Sequence, residues 1–244
     1  MHASIGDWAI LEQAQAWGIV LDTHTCERLE RYLMLLYTAN QQMNLTRVPP
    51  EQAVGRHLVD SLCLLAVYLP PQGAQVLDIG TGAGLPGIPL AIVRPDLQMT
   101  LLDSHGKTVQ FLREACAVLE LDARVIHARA EDWAHTPEAR EQFDVVVARA
   151  VAKMPLLTEL MAPFVKIGGV GLALKSARET DEILQATYAA QVLGAILNLH
   201  TVSFLTEQGT VSRAIGQMRK ERPTPKQYPR TWKQILNRPL GGKP

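Results

Sequence analysis

Four glycines within eight residues, Gly80, Gly82, Gly84 and Gly87, follow directly on the apolar stretch Val76-Leu77-Asp78-Ile79. A short apolar run, a glycine-rich break and a second apolar segment predict a buried strand, a tight turn and a helix in immediate succession. Glycine lets the backbone turn sharply and approach a ligand where a Cβ would intrude. Pro86 and Pro89 suit the first helical turn, whose amides lack intrahelical acceptors. An open helix N-terminus beyond the strand would favour an anionic ligand group.

Around this unit strand and helix alternate. Strands are expected at residues 75–79, 99–102, 124–128, 143–148 and 170–174, and helices at 87–93, 108–119, 154–164 and 178–189. Such alternation means parallel strands with crossover helices. Two β-rich stretches, 191–205 and 210–218, are separated by Glu207-Gln208-Gly209, which predicts a terminal antiparallel hairpin. Residues 4–18, 24–43 and 51–68 carry helical patterns, interrupted between Asn44 and Pro50 and closed by Pro70-Pro71-Gln72-Gly73. The chain therefore divides into an N-terminal helical cap (1–69), a ligand-binding α/β domain (70–218) and a C-terminal tail (219–244).

With 244 residues, 47% of them hydrophobic and 20% charged, the chain is long enough to bury a core and does not read as disordered, collagen-like or coiled coil. Cys26, Cys63 and Cys116 match neither a disulfide framework nor zinc spacing and read as reduced core thiols. The histidines His2, His24, His105, His127, His135 and His200 show no ligand spacing either, so no metal is expected. The first eight residues lack a basic cluster leading into an apolar core, and no apolar stretch reaches bilayer length. A cytoplasmic protein without a membrane partner, and a monomer, is the expectation.

The 24 basic and 24 acidic side chains cancel, but residues 213–244 hold nine basic groups against Glu221 alone. Interleaved with Tyr228 and Trp232, such a tail suits a phosphate backbone and exposed bases. A solvated tail is equally consistent with the composition.

Gly82-x-Gly84-x-x-Gly87 matches the dinucleotide pattern, and Asp103 lies at the end of the next strand, where an acid would hold a ribose diol. A nicotinamide-dependent oxidoreductase is thus one reading. Asp78 ahead of Gly80-x-Gly82-x-Gly84 gives Asp-x-Gly-x-Gly-x-Gly, which resembles motif I of S-adenosylmethionine-dependent methyltransferases. There an acid near the loop favours the cationic groups of the ligand. This resemblance implies a Rossmann-like class I methyltransferase fold, with a seven-stranded, mostly parallel sheet ending in an antiparallel hairpin. No Asn/Asp-Pro-Pro-aromatic motif follows the fourth strand, as adenine or cytosine amino methylation would need, and no cysteine follows proline, as cytosine C5 chemistry would. A ring nitrogen such as guanine N7 has a free lone pair and no proton to lose, so it needs orientation rather than a general base.

Further motifs narrow the resemblance: Asn44-Leu45-Thr46, Arg56-His57-x-x-Asp60-Ser61, residues 78–89, Leu101-Leu102-Asp103-Ser104 with Gly106-Lys107, Ala130-Glu131, Ala148-Arg149-Ala150, and Pro223-Thr224-Pro225 with Tyr228-Pro229-Arg230. In order and spacing they resemble the bacterial RsmG (GidB) family of 16S rRNA guanine-N7 methyltransferases. The resemblance implies methyl transfer from S-adenosylmethionine to N7 of a guanine in the 530 loop (guanine 527 in standard rRNA numbering), with 16S rRNA or the small ribosomal subunit as partner. It further implies that Asp78, Gly80, Gly82, Gly84 and Leu85 line the cofactor and that Asp103 holds the ribose. Ala130 and Glu131 would then meet the adenine, with Arg149 beside the cofactor or target base as an orienting residue. On the residues alone, Glu131 reads first as a helix-start acid, and Arg149 as a surface ion pair. A non-catalytic RNA-binding scaffold with this fold is a third reading.

Arg56, His57 and Asp60 fall on one face of the third predicted helix, where Arg56 and Asp60 can pair. The cluster would either dock the cap or, through Arg56 and His57, face RNA. Lys107 at a helix start and Lys175 at a strand end are candidate phosphate contacts. Arg213, Arg219, Lys220, Lys226 and Arg230 complete the expected RNA-binding set. The family pattern usually ends in glycine and proline after Tyr-Pro-Arg, whereas residues 231–237 intervene here.

Overall fold

The computed structural model describes residues 6–241. Ser4 and Ile5 of the first expected helix, His2, and Lys243 of the basic end lie outside the described residues. Seven strands form one sheet in the order β3-β2-β1-β4-β5-β7-β6. They are β1 (Gln75–Ile79), β2 (Gln98–Asp103), β3 (Ala123–His127), β4 (Phe143–Arg149), β5 (Val165–Ser176), β6 (Ala195–Thr206) and β7 (Gly209–Lys220). The first five pair in parallel; β7 runs antiparallel between β5 and its hairpin partner β6. β7 continues to Lys220, past the boundary expected after residue 218.

Because side chains alternate across a strand, the two faces of the sheet carry separate cores. Val76, Val145, Val147, Leu172 and Leu174 face the cap side, and Leu77, Ile79, Val146, Ala148 and Ala173 the other. On the cap side, α1 (Thr23–Met43) packs on α3 (Gly87–Val93) and α4 (Gly106–Val118). Asp22 caps α1 by accepting the Thr25 amide at 2.7 Å, and wholly buried Leu29, Leu33 and Leu36 form its inner stripe. Tyr32, also wholly buried, donates its hydroxyl to the carbonyl of Ala83 at 2.8 Å, tying the cap to the glycine loop.

The cap helices depart from the expected regular form. Trp8–Trp17 is a 3-10 helix. The third helix is a relay of 3-10 (Pro50–Gln52), π (Val54–Val59), α (α2, Asp60–Leu62) and 3-10 turns (Cys63–Ala66). On the opposite face lie α5 (Ala130–Trp133), α6 (Met154–Met161), α7 (Thr180–Gln185) and α8 (Thr187–Val192), the last two replacing one expected helix. A further helix, α9 (Trp232–Asn237), occupies the segment expected to be tail. The outer edge of β6 is covered by Gln13, whose side-chain amide donates to the Leu205 carbonyl at 2.9 Å and accepts its amide at 2.7 Å.

Candidate active site

Strand order reverses between β1 and β4, and beyond the carboxyl ends of such strands an α/β sheet opens its binding crevice. The glycine loop lies there. Gly80, Gly82 and Gly84 have φ of 62°, 54° and 89°, the left-handed region that costs other residues about 1–2 kcal/mol. A Cβ on Gly80 would come 2.9 Å from Val151, whereas one on Gly82 would meet nothing within 4 Å.

Most of the loop's amides are engaged internally. Gly80 and Thr81 donate to the Leu102 carbonyl, Gly84 and Leu85 to the Thr81 carbonyl, and Gly82 to Asp103 Oδ2 at 3.0 Å. At the start of α3, the Gly87 amide donates to Asp78 Oδ2 at 2.8 Å, and the Thr81 hydroxyl donates to the same oxygen. The chain's own carboxylate therefore fills the helix N-terminus expected to receive an anionic ligand group. A dinucleotide pyrophosphate needs those amides and would meet Asp78 instead, which tells against the nicotinamide reading. Asp78 is wholly buried, and its Oδ1 has no hydrogen-bond partner. Burial pushes its carboxyl up to about 7, against the hydrogen bonds from Thr81 and Gly87 and the charge of Arg149.

Gly80, Asp103, Ala130 and Glu131 meet in one cleft of about 110 Å³, together with Ser104, Val151, Leu160 and Trp232. That is below the 300–1,000 Å³ that engulfs a drug-sized ligand, so the cleft takes one end of its ligand. Asp103 Oδ1 accepts the His105 amide at 2.9 Å and lies 3.1 Å from His105 Nδ1, whereas Oδ2 accepts only from Gly82 and keeps a second lone pair for a ribose hydroxyl. Glu131 pairs with Arg129 and makes no cap hydrogen bond. Leu85 and Gly84 are placed differently from the expectation: the Leu85 side chain is in the cap-side core, and a Cβ on Gly84 would strike Ile88, so both shape the turn.

A second pocket, about 350 Å³, opens beside β4 and is lined by Arg56, His57, Asp60, Arg149, Lys175 and Arg213 among others. Its centre is Asp60, 5% exposed, which accepts from Arg149 Nη1 at 2.8 Å and from Arg213 Nε. The expected pairing of Arg56 with Asp60 does not form, because the wide π turn takes the two out of α-helical register; Arg56 is exposed and donates to Gln52. His57 is buried against Thr46, with Nε2 2.9 Å from its hydroxyl. Burial, followed by the charge of Arg149, pushes the imidazole down to about 3, so it is neutral and fixes the Asn44-Leu45-Thr46 loop. Arg149, Ala150 and Val151 connect the two pockets. Ala150 has φ 57°, a left-handed turn in which Arg149 and Ala150 line the arginine pocket and Val151 lines the cleft.

Three cations expected to contact RNA are held by acids of the chain itself. Lys220 has no exposed side chain: Nζ bonds Glu141 at 2.9 Å and the carbonyls of Ala162 and Val165, and burial pushes its ammonium down against the charge of Glu141. Lys175 is held by Glu182 at 2.7 Å, Glu179 and the Ala152 carbonyl. Arg230 closes on buried Glu159. Each of these cations found an acid far away in sequence or on another element, which charge counting does not reveal. Lys107, Lys226 and Arg219 are exposed, Arg219 beside Glu221. Among the described residues Trp232, expected to stack on RNA, instead lines the cleft, and no helix is long and apolar enough to cross a membrane.

Residues 25–219 match the family model described as rRNA small subunit methyltransferase G (GidB). Curated proteins named ribosomal RNA small subunit methyltransferase G are similar over nearly the whole chain. That of Lachnoclostridium phytofermentans is 40% identical over 232 residues, 94% of this chain and 96% of its own length. That of Roseiflexus castenholzii is 40% identical over 235 residues, 95% and 98% respectively. Among solved structures, the Bacillus subtilis YcgJ protein superposes with TM-score 0.51 at 12% identity, covering 68% of this chain and all of its own. The predicted O-methyltransferase Atu636 of Agrobacterium tumefaciens gives 0.52 at 18% identity, covering 68% and 81%. These two likenesses concern the fold.

Proposed function

The chain belongs to the rRNA small subunit methyltransferase G family, and on that premise we propose how its two pockets carry out the transfer. It is an S-adenosylmethionine-dependent rRNA methyltransferase, and the family's activity is methylation of guanine 527 at N7 in 16S rRNA. The observation that carries the assignment of roles is the meeting of cleft and arginine pocket at residues 149–151, as a donor site and an acceptor site must meet.

The residues suit the cofactor. The bare Cα of Gly80 lets Val151 close against the loop at the cleft wall, Asp103 Oδ2 keeps a lone pair for a ribose hydroxyl, and most of the loop amides are already satisfied within the chain. The unpartnered Oδ1 of Asp78 favours the cationic amino-acid end. When bound, S-adenosylmethionine supplies an electrophilic methyl on a sulfonium. Asp103 holds the ribose, Ala130 and Glu131 border the adenine, and Gly80 and Gly82 let the loop close on the remainder.

Arg149 orients the acceptor. A guanidinium that took both O6 and N7 of guanine would block the attacking lone pair, so Arg149 donates to O6 alone and leaves N7 facing the cleft. Asp60 fixes the angle of Arg149 and Arg213, and the trio retains one net positive charge for RNA. Guanine N7 releases no proton on methylation, so no side chain acts as general base; orientation does the work. Exposed Arg56, Lys107, Arg219 and Lys226 supply phosphate contacts around it. The enzyme acts as a monomer in the cytoplasm, on the small subunit or its rRNA.

The test is incubation with radiolabelled S-adenosylmethionine and unmethylated small subunits, mapping product by cleavage at N7-methylguanosine. Label at one guanine of the 530 loop is expected. Label elsewhere, or none despite cofactor binding, would overturn the acceptor assignment.

A further inference from the structure

The segment after β7 stays on the protein. Glu141 Oε1 accepts the Lys220 ammonium and the Thr224 amide, the latter at 2.7 Å. Arg140 donates to the carbonyls of Thr224 and Tyr228, both at 2.8 Å, and of Pro225 at 3.2 Å. His135 Nε2 lies 2.8 Å from the Pro229 carbonyl, and Arg230 forms its bidentate pair with Glu159. The strap so formed delivers α9 to one place. There Thr231 and Gln234 make a capping box, and wholly buried Ile235 packs on Leu156 and Leu160.

This seating packs Trp232 on the cluster of Leu156, Leu160 and Ile235 and puts it on the wall of the cleft formed by Gly80, Asp103, Ala130 and Glu131. An aromatic ring beside a recess that takes one end of its ligand offers a purine a flat apolar face, which a frayed tail does not. Resting on the methyltransferase reading, we propose that Trp232 is a cofactor-binding residue whose indole packs on the adenine of S-adenosylmethionine, with the Arg230–Glu159 pair as the clasp that seats it. The C-terminal segment is thus a wall of the cofactor site and not a free RNA arm, and its loss weakens cofactor binding.

The experiment is calorimetric titration of S-adenosylhomocysteine into the wild-type chain, Trp232→Phe and Trp232→Ala, with tryptophan fluorescence followed in parallel. Trp232→Ala is expected to lose about tenfold in affinity and Trp232→Phe less than about threefold, in line with the cost of removing a base-stacking ring. The ligand-induced fluorescence change is expected to vanish largely in Trp232→Phe although that variant still binds. Wild-type affinity in Trp232→Ala overturns the proposal, as does a full fluorescence change in Trp232→Phe. Should the alanine variant melt earlier without ligand, the fluorescence of the phenylalanine variant decides alone. A wild-type chain that fails to bind S-adenosylhomocysteine overturns the cofactor reading itself, an outcome distinct from the other two.

Discussion

Arg230 meets Glu159 through two parallel hydrogen bonds, Nε to Oε1 at 2.9 Å and Nη2 to Oε2 at 2.6 Å, with the Arg230 amide also on Oε1. Glu159 has no exposed surface, so nothing else can compensate its charge once the guanidinium is gone. Arg230→Ala is expected to cost about 3–5 kcal/mol in urea unfolding, the penalty of a buried pair broken on one side. Arg230→Lys recovers only part of it, because an ammonium cannot make the paired contact.

Lys220 and Arg219 are chain neighbours with opposite fates. The Arg219 side chain is 60% exposed and that of Lys220 wholly enclosed. Arg219→Ala is expected to leave stability within about 0.5 kcal/mol and to reduce the salt dependence of small-subunit binding by roughly one phosphate contact. Lys220→Ala is expected to lose about 3 kcal/mol and leave that slope unchanged. Binding titrations at several salt concentrations, beside unfolding curves, separate the two.

Asp78 imposes a pH signature. Its carboxyl is raised to about 7 in the folded chain from 3.8, so the folded state holds a proton that the unfolded state has released. The stability tied to that proton is fully present below about pH 4 and is lost as pH rises through 7. Asp78→Asn lacks the titration. Its stability relative to wild type is therefore expected to climb between pH 4 and 7 and to level off above, as ligand-free unfolding curves at each pH would show.

Asp60→Asn keeps the side chain's shape and removes the charge that holds Arg149 and Arg213. Hydrogen bonds to a charged partner contribute about 1.5–3 kcal/mol, so a misaimed Arg149 is expected to slow single-turnover methylation by about tenfold or more. S-adenosylhomocysteine affinity is expected to stay at the wild-type level, since Asp60 borders only the arginine pocket.

How much of this was legible in the sequence depends on whether the signal was local. β1 and α3 fall at the residues their apolar runs predict, because parallel strands buried on both faces read as continuous hydrophobic segments. β5 is longer than expected, since Lys166, Gly168 and Gly169 hide its start. The 3-10 form of Trp8–Trp17 and the π turn at Val54–Val59 share their apolar spacing with ordinary helices, and only tertiary packing selects between them. Asp103, Ala130 and Glu131 converge on one cleft with Gly80, a meeting of residues up to 51 apart that no local pattern shows and that only the family resemblance suggested. Trp232 escaped because Trp-Lys-Gln-Ile-Leu-Asn sits in a basic, proline-rich context, and a composition that reads as tail says nothing of Arg140, Glu141 and Glu159 waiting elsewhere for it.

The placement of β7 between β5 and β6 bears on how the chain is made. During synthesis β6 leaves the ribosome before the strand that will pair with it, so until β7 follows, the edge of β5 and one edge of β6 both stand unsatisfied. Open edges of that kind recruit other chains. A message cut short before residue 209 would thus yield an aggregation-prone fragment rather than a smaller enzyme. One cut between β7 and α9 would complete the sheet yet leave Leu156 and Leu160 bare and the cofactor recess without a wall. Competence would arrive only once α9 has followed β7 out.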